Sequence, residues 1–454
     1  MTTIQPMSSR LLRHHPLLSS LCIALCFSAC GGAAHIAPST YAAPAASLDS
    51  LTGFARDDRQ AELDREDRFK TAISATSARA TLNAAPDARR LLAALEEAGL
   101  DAGLWTFQAS SQQASGGVQV MARLEGSDSP DQIILLGATR AEPSGVAGLL
   151  EVARGLGALT QTGWQPRRTL VLAAWDGDLP ARQSARAWME EGPMEAARST
   201  MAMLAMDGGL AGDTLRIAAT PDLRVLAARL LPEDVSIDPP DGRGAAGVFL
   251  AAGVSTLEIA RSSSTTSGRR RASAHPDDIV AGARLWGTLA LRLSEAVLPP
   301  HNLAVTAQRT LMALRHVEDA AGATFAGNPP PTKDLRVAIL RLRQAAEAWN
   351  NTAGALQAEG ERAALEDAGR LALAAGRILN PGGRRDGVCR NLLYCPAAEN
   401  GSPAVALPGL ARAVAREDRT GYVTETLTLA TAIRNAGRRL EEATALLPQP
   451  AEGK

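Results

Sequence analysis

Histidine is scarce in this sequence of 454 residues: there are six, at positions 14, 15, 35, 275, 301 and 316. Because a zinc enzyme normally draws several of its metal ligands from histidine, this scarcity argues against a zinc hydrolase. Aromatic residues make up only 3% of the chain, which argues against a surface on which bases or sugars stack. Positive and negative charges balance, with 47 Lys and Arg against 48 Asp and Glu. Nucleic acid and acidic membrane surfaces are therefore not expected as main partners, since both need a basic excess.

The composition that remains is that of a folded protein. Hydrophobic residues make up 46% of the chain and charged residues 21%, as in globular proteins. A chain of 454 residues is long enough for two or three domains of about 150 residues, each with a core of its own.

The N-terminal segment predicts export from the cytoplasm. Arg10 and Arg13 precede an apolar run over 17–27, which is too short to span a membrane and typical of a secretory signal. The run ends in Phe-Ser-Ala-Cys-Gly, which resembles a bacterial lipobox with Cys30 as the lipidated residue. We therefore expect a lipoprotein-type signal peptide over 1–30, the alternative being a plain secretory signal cut nearby. The protein would then be lipid-anchored or periplasmic in a bacterial envelope, touching the membrane only through the lipid.

A tether follows the signal, and few cysteines follow the tether. Residues 31–50 are rich in Ala, Pro and Ser, which predicts a flexible linker. Beyond Cys30 only Cys389 and Cys395 remain. In an oxidising compartment such a pair is expected to form a disulfide that closes a small loop. A metal pair or two free thiols are the alternatives, although no His or third Cys lies nearby in the sequence.

The middle of the chain alternates between apolar runs and amphipathic segments. The apolar runs predict strands over 118–124, 132–137, 169–175, 202–206, 214–219 and 255–259. The amphipathic segments predict helices over 85–98, 144–157 (with Ser144 as N-cap), 183–190 and 221–231. This alternation predicts an α/β domain over 51–298, built on a mixed, largely parallel sheet flanked by helices. Function in such sheets lies at the carboxyl ends of the strands, here 137–145, 175–182, 207–213 and 260–278.

From about residue 300 the pattern predicts helices only. Between 332 and 357 apolar residues recur in steps of three and four, which is typical of a helix packed in a bundle: Leu335, Ile339, Leu342, Ala346, Trp349, Ala353 and Leu356. Further helices are expected over 302–321, 362–379 and 422–447. The helix over 362–379 is expected to end at Asn-Pro-Gly-Gly (380–383), and an irregular segment that holds the cysteine pair to follow it. Residues 299–454 therefore form a predicted second, all-α domain.

Several motifs carry a family resemblance. The stretch from Gly155 to Asp176, which contains Gly-Trp-Gln-Pro-Arg-Arg before a buried strand ending in Trp-Asp, is the most specific. With the turn Glu-Pro-Ser-Gly at 142–145 and the pair Met206-Asp207, it resembles glutamate carboxypeptidase II and its relatives. These are co-catalytic zinc exopeptidases, and their branch includes the transferrin receptor. The resemblance implies a zinc-exopeptidase-like fold without the family's apical domain, since 100–117 leaves no room for one.

The C-terminal motifs resemble a different part of the same branch. Segments 377–383, 390–396 and 407–410 are similar to the dimerisation domain of the transferrin-receptor type. This resemblance implies a homodimer formed through the helical domain.

The resemblance also implies five zinc-ligand positions, and only some of them hold a residue that can bind a metal ion in this sequence. Asp207 matches a zinc-binding Asp, and Glu142 stands where the family has the bridging Asp. Thr139 replaces a His ligand and Leu179 a Glu ligand, and neither side chain can substitute. His275 lies one or three residues after the position of the last ligand, depending on the alignment.

The general-base position is shortened as well. Asp178 stands where the family has Glu, and a misplacement near 1 Å can cost about 100-fold in rate. We therefore expect a catalytically inactive peptidase homologue without metal, which binds a peptide or protein in the former cleft. The alternatives are an active zinc-dependent carboxypeptidase or aminopeptidase with a rearranged metal site, and a structural envelope lipoprotein.

Other constellations carry less weight. Asp176 and Asp178 could form an acid–base pair, but Asp176 at a strand end is expected to bond backbone. The segment 262–271, with its serines and three arginines, is expected to be a solvated loop rather than an anion site. No Gly-x-Ser-x-Gly motif supports a serine hydrolase.

Overall fold

The structure is a computed structural model that describes residues 59–84, 87–107, 116–176, 179–191, 199–207, 209–233, 235–240, 242–262, 274–298, 301–359, 361–385, 388–396 and 404–448. The predicted signal peptide with Cys30 and the linker over 31–50 lie outside these ranges. None of the helices in these ranges is long and apolar enough to cross a membrane.

One mixed sheet of eight strands organises the first part of the chain. Its strands are β1 (Asp101–Phe107), β2 (Gly117–Leu124), β3 (Ser129–Thr139), β4 (Arg168–Trp175), β5 (Thr200–Ala205), β6 (Thr214–Ala219), β7 (Ile237–Asp238) and β8 (Ser255–Ser262). Across the sheet the order is β1-β2-β4-β3-β5-β8-β6-β7. The four central strands β4, β3, β5 and β8 run parallel. β2 is antiparallel to β1 and β4, and β6 is antiparallel to β8 but parallel to β7.

Helices connect these strands. They are α1 (Arg59–Ala72), α2 (Ala75–Ala84), α3 (Ala88–Glu97), α4 (Pro143–Thr160), α5 (Leu179–Glu191), α6 (Pro221–Leu230), α7 (Gly244–Ala251) and α8 (Pro276–Glu295). The mixed, largely parallel sheet with flanking helices that the alternation predicts is confirmed.

The period of two along β3 places its side chains in two cores. Ile134 and Leu136 pack among α1, α2, α4 and α8 on one face of the sheet. Ile133 and Leu135 point to the other face, where α5 and α7 cover a smaller core that contains Trp175. The continuous apolar run of a central strand is thus explained, because both of its faces are buried.

A second group of helices has a core of its own. These helices are α9 (Leu303–Thr324), α10 (Lys333–Glu359), α11 (Arg362–Leu379), α12 (Pro408–Ala415) and α13 (Arg419–Leu446). All seven apolar residues of the predicted stripe on α10 are buried, as the bundle prediction requires. Between α11 and α12, where an irregular segment is expected, four short strands form two pairs, so the description of this domain as all-α is wrong there: β9 (Arg384–Arg385), β10 (Val388–Cys389), β11 (Tyr394–Pro396) and β12 (Ala404–Ala406). In this segment Cys389 and Cys395 are joined by a disulfide.

Some elements differ from the sequence prediction for physical reasons. Ser144 is not the N-cap of α4; that position belongs to Glu142, and Pro143 occupies the first turn. Helix α7 was not predicted because its sequence is apolar all round and therefore has no helical period. Strand β1 at the edge of the sheet was also missed, since its burial does not alternate regularly.

Candidate functional site

The carboxyl ends of the central strands bring most of the predicted site residues to one edge of the sheet. Thr139 ends β3, Asp176 directly follows β4, and Asp207 lies two residues beyond β5. Backbone hydrogen bonds hold these ends in register, from Arg140 N–H to the Trp175 carbonyl (2.8 Å) and from Met206 N–H to the Gly137 carbonyl (2.9 Å). We call this region the carboxyl edge.

Asp207 is bound to the beginning of helix α7. Its Oδ2 accepts a hydrogen bond of 2.8 Å from Ala245 N–H. Gly244, with φ of +59°, makes this approach possible, because a Cβ there would lie 2.7 Å from Oδ2. The other carboxylate oxygen, Oδ1, is buried and has no hydrogen-bond partner among the described residues. Burial raises the pKa of Asp207 to about 6, although the N–H groups of Ala245, Ala246 and Thr139 oppose the shift.

Glu142 lies over the turn that follows Asp207. Its carboxylate accepts a hydrogen bond of 3.0 Å from Ser144 Oγ, which itself accepts one of 2.9 Å from Leu210 N–H. Gly209, with φ of +76°, leaves room for this carboxylate, since a Cβ there would lie 2.6 Å from Glu142 Cδ. Asp207 and Glu142, the two implied ligand positions that carry a carboxylate, therefore lie beside the same turn.

The remaining predicted positions do not complete a metal site. Thr139 is buried and offers only a neutral hydroxyl, and Leu179 at the start of α5 has no donor atom. Asp178 lies outside the described residues. His275 is the N-cap of α8: its Nδ1 accepts from Asp277 N–H at 3.3 Å, and its side chain is 64% exposed.

These donors do not fit the zinc pair that the resemblance implies. Two zinc ions need several anionic or imidazole ligands held close together. Within the part of the chain that the structure describes, no three His, Cys, Asp or Glu side chains are placed to share a metal ion. Of the implied ligands only Asp207 and Glu142 keep carboxylates at the carboxyl edge. Residues 263–273, which contain most of the Ser- and Arg-rich segment, lie outside the described ranges.

An ion pair occupies the carboxyl edge beside Thr139. Arg140 donates to Asp176 Oδ1 at 2.6 Å and to the Val118 carbonyl at 2.9 Å. Asp176 Oδ2 accepts from Val118 N–H at 3.1 Å, which is the backbone bond expected of a strand-end Asp. Both side chains of the pair are about one-quarter exposed, at 24% and 23%, so the edge presents one cation and one anion to solvent.

A second polar cluster lies at the opposite edge of the sheet and was missed by the sequence reasoning. His301 Nδ1 lies 2.6 Å from Asp222 Oδ2, and Ser255 Oγ donates to the same oxygen. The three residues do not form a catalytic triad, because the hydroxyl and the carboxylate approach the same ring nitrogen, whereas a triad needs them on opposite nitrogens. They line a cavity of about 60 Å³ together with residues of α11 and the disulfide loop.

The neighbours of Asp222 lower its pKa. Burial works to raise the pKa of Asp222, but the His301 hydrogen bond and charge, together with the Ser255 and Thr220 hydroxyls, hold it below its ordinary value.

The sequence gives little sign of the contact between His301 and Asp222. The available signal was Thr220-Pro221-Asp222, a helix start with an acidic residue in the first turn. Nothing in the sequence pairs it with a histidine 79 residues later.

Parts of this chain are similar in sequence to known proteins. No protein-family model matches the chain. A probable glutamate carboxypeptidase of Zea mays, VP8, is 26% identical over 344 residues, which is 64% of this chain and 47% of that protein. Probable glutamate carboxypeptidases of Arabidopsis thaliana are 33% identical over 112 residues (LAMP1; 23% of this chain and 16% of that protein) and 30% over 133 residues (AMP1; 28% and 18%). The matched part thus spans less than half the length of these relatives.

Solved structures give weaker matches. LapB from Legionella pneumophila matches with a TM-score of 0.42 at 12% identity, covering 54% of this chain and 80% of that one. The LapA aminopeptidase of the same organism matches with a TM-score of 0.40 at 13% identity, covering 52% and 75%. The sequence relatives are the informative ones, and with them the predicted resemblance of this chain to the glutamate carboxypeptidases is confirmed.

Proposed function

We propose that this chain is a catalytically inactive peptidase homologue that binds a peptide or protein partner at the carboxyl edge. The observation that carries the proposal is the donor set. Thr139 and Leu179 stand at two ligand positions, and His275 caps α8 at the surface. A hydrolytic mechanism of this family depends on water activated by metal, and this donor set does not supply the ligands for it.

Metal analysis and restored ligands test the loss of zinc hydrolysis. Protein purified without chelator is expected to contain far less than two zinc ions per chain and to hydrolyse neither dipeptides nor acyl-amino acids. The double variant Thr139→His/Leu179→Glu is expected to bind more zinc than the wild type, since it returns two donors to the edge. Two zinc ions per wild-type chain, with hydrolysis abolished by Asp207→Ala, would overturn the proposal.

An active enzyme with a rearranged site is the alternative that one observation favours. Asp207 Oδ1 is buried without a partner in the described ranges, and the Glu142 carboxylate lies over the adjacent turn. In this alternative the two groups form a rearranged zinc site together with Asp178 and His275. The same metal analysis decides between the two functions, because this alternative requires stoichiometric metal.

Partner binding is expected to depend on the charges of the carboxyl edge. Arg140 and Asp176 are partly exposed there and offer a cation and an anion to a peptide backbone or terminus. In a fluorescence-polarisation screen against a peptide library, Arg140→Ala and Asp176→Asn should weaken binding at least fivefold. Arg434→Ala on the exposed face of α13 is the matched control. Equal affinity in all variants would show that the carboxyl edge is not the binding surface.

We further propose that the protein is a homodimer tethered to the envelope. The apolar side chains of Val337, Leu340, Val423 and Leu427 on α10 and α13 are 37–56% exposed, which supports a covered surface in the helical region. Leu427→Glu should shift sedimentation from dimer to monomer, whereas Leu63→Glu on α1 should not. A wild-type monomer at micromolar concentration would contradict the dimer.

Cys30→Ala should release the protein from the membrane fraction if Cys30 carries the lipid.

A further inference from the structure

Helix α7 connects the carboxyl edge to the disulfide loop. At its beginning, Ala245 N–H donates to Asp207 Oδ2 at 2.8 Å. The helix has eight residues, about 12 Å in length, and it is mostly buried between α5 and the sheet. Its end therefore lies about one helix length away from the carboxyl edge, toward the second group of helices.

The end of α7 is held by Asn391. Asn391 Nδ2 donates to the Leu250 carbonyl in the last turn of α7, and its Oδ1 accepts from Gly382 N–H at 3.0 Å. Gly383 N–H donates to the Ala251 carbonyl at 3.1 Å. Gly382 must be glycine, since its φ is +72° and a Cβ would lie 2.1 Å from the Ala252 carbonyl oxygen. The Leu250 carbonyl also accepts from Gly253 N–H at 3.0 Å, so the last carbonyls of α7 are satisfied both by the turn after the helix and by the segment that leads into the disulfide loop.

Asn391 lies inside the ring that the disulfide closes. Cys389 and Cys395 are joined with their Cα atoms 6.2 Å apart, and Asn391 sits between them in the sequence. Closing so short a ring limits the conformations open to its backbone, and this limit helps to keep the Asn391 amide on α7. The ring is also held by Leu392 N–H on the Leu379 carbonyl at 3.0 Å, so its opening should loosen it rather than unfold it.

We propose that this disulfide is a redox-sensitive control on the carboxyl edge, transmitted by Asn391 and α7. A dithiol reductant would open it by two thiol–disulfide exchanges. Its first thiolate attacks one cysteine sulfur, so the S–S bond breaks, the other cysteine leaves as a thiolate and a mixed disulfide forms; its second thiolate then displaces the attacked cysteine, which leaves the reductant as a disulfide and the protein with two thiols. Cys389 is partly exposed and Cys395 is buried, so Cys389 Sγ is the sulfur attacked and Cys395 leaves as the thiolate. The freed loop then holds the end of α7 less firmly, and the Ala245–Asp207 bond opens more often.

Hydrogen exchange of the full chain tests this control. Reduction with dithiothreitol, verified by two newly alkylatable thiols, should speed exchange of the α7 amides about tenfold, as loss of one or two hydrogen bonds predicts. Cys389→Ser/Cys395→Ser should show the fast rate without reductant. Asn391→Ala should show it with the disulfide intact and gain little more on reduction. Asn435→Ala on α13 and the amides of α2 serve as controls.

The redox control rests on the proposed function only for the identity of the controlled site. Failure of the control and failure of the proposed function therefore give different results. Unchanged α7 exchange in fully reduced protein overturns the control, whatever happens to peptide binding. The cysteine double variant keeps that outcome available if Asn391→Ala fails to fold. Redox-dependent α7 exchange in a protein that binds no library peptide would leave the control standing and remove the proposed function.

Discussion

Asp207 is the side chain at the carboxyl edge whose charge state the fold controls most strongly. Its folded pKa of about 6 exceeds the ordinary value of 3.8, because burial disfavours the carboxylate. The folded state therefore keeps the proton to a higher pH than the unfolded state does. The stabilising contribution of this proton is complete below about pH 4 and is lost as the pH rises to about 6.

The first prediction follows from that sign. Asp207→Asn should flatten the fall in the free energy of unfolding between pH 4 and 6, a fall of roughly 3 kcal/mol if Asp207 alone caused it. Urea unfolding at several pH values measures the slope. Asp101→Asn at the exposed start of β1 is the control and should leave the slope unchanged. An unchanged slope in Asp207→Asn would show that another group causes it.

The Arg140–Asp176 pair makes a second prediction at the residue scale. Asp176→Asn keeps the shape but loses the charge that faces Arg140, and it should cost about 1 kcal/mol of unfolding free energy. The matched control is Glu125→Gln, whose partner Arg123 is 40% exposed against 24% for Arg140. We expect less than about 0.5 kcal/mol there, because the pair is more screened by water. Equal losses from the two variants would mean that burial of the pair does not matter.

Among the elements, α7 depends on the glycine at its first position. Gly244→Ala would place a residue with a side chain at φ of +59° and a Cβ 2.7 Å from Asp207 Oδ2. The left-handed backbone alone costs about 1–2 kcal/mol, and the contact adds to it. Gly327→Ala is a matched control, since Gly327 has φ of +77° and nothing within 4 Å. The unfolding free energy of Gly244→Ala should fall by at least 1 kcal/mol more than that of the control, and a smaller difference would mean that Asp207 yields without cost.

The end of α8 depends on a buried arginine of β4. The Arg168 guanidinium donates to the carbonyls of Leu293, Ala296 and Val297 and to Gln132 Oε1. Burial, followed by the charge of Arg167, lowers the pKa of Arg168 to about 10, so it remains a cation at neutral pH.

Arg168→Lys is therefore not a conservative change. Lysine cannot reach several carbonyls in one plane, and carbonyls left unpaired in the interior cost about 1–3 kcal/mol each. We expect a loss of at least 2 kcal/mol in thermal or urea unfolding. Arg123→Lys on the exposed part of β2 should be nearly neutral, and a similar result at 168 would contradict this role.

At the scale of the whole molecule, two polar side-chain pairs join the sheet and its helices to the second group of helices. Asp222 at the start of α6 meets His301 before α9 at 2.6 Å, and Arg167 before β4 meets Glu366 on α11 at 2.6 Å. The Asp222–His301 pair is the more buried, with side chains 10% and 14% exposed. We expect it to contribute more to holding the two cores together.

Calorimetry tests this junction. The wild type should unfold in one transition, and Asp222→Asn should lower its midpoint by several degrees, whereas Glu366→Gln should lower it by less. Because the folded pKa of Asp222 is lowered, its contribution is present above its ordinary value of 3.8 and is lost as the pH falls further. The difference between the wild type and Asp222→Asn should therefore shrink below about pH 4. A constant difference would contradict an ionised Asp222 at the junction.

The sequence was informative where local pattern determines structure. The apolar runs located β3 and β4, and the stripe from Leu335 to Leu356 located α10, because burial on a fixed face leaves a period in the chain. The resemblance located Asp207 and Glu142. The period fails for α7, which is apolar on every side. The pattern is also silent on the Asp222–His301 pair, since that pair arises from packing between distant segments.

The aromatic side chains of the smaller core, between the sheet and α7, give this protein a spectroscopic signal. Phe249 of α7 lies 6.0 Å from Trp175 and 5.8 Å from Trp188 between ring centroids, and the two indoles are 6.5 Å apart in an edge-on arrangement. Two indoles fixed at this separation couple their electronic transitions and give a near-ultraviolet circular dichroism signal that depends on their mutual angle. Because Phe249 packs against both rings, a shift of α7 that moves Phe249 should change that signal. The protein therefore carries an intrinsic, label-free chromophore pair beside the helix that connects the carboxyl edge to the disulfide loop.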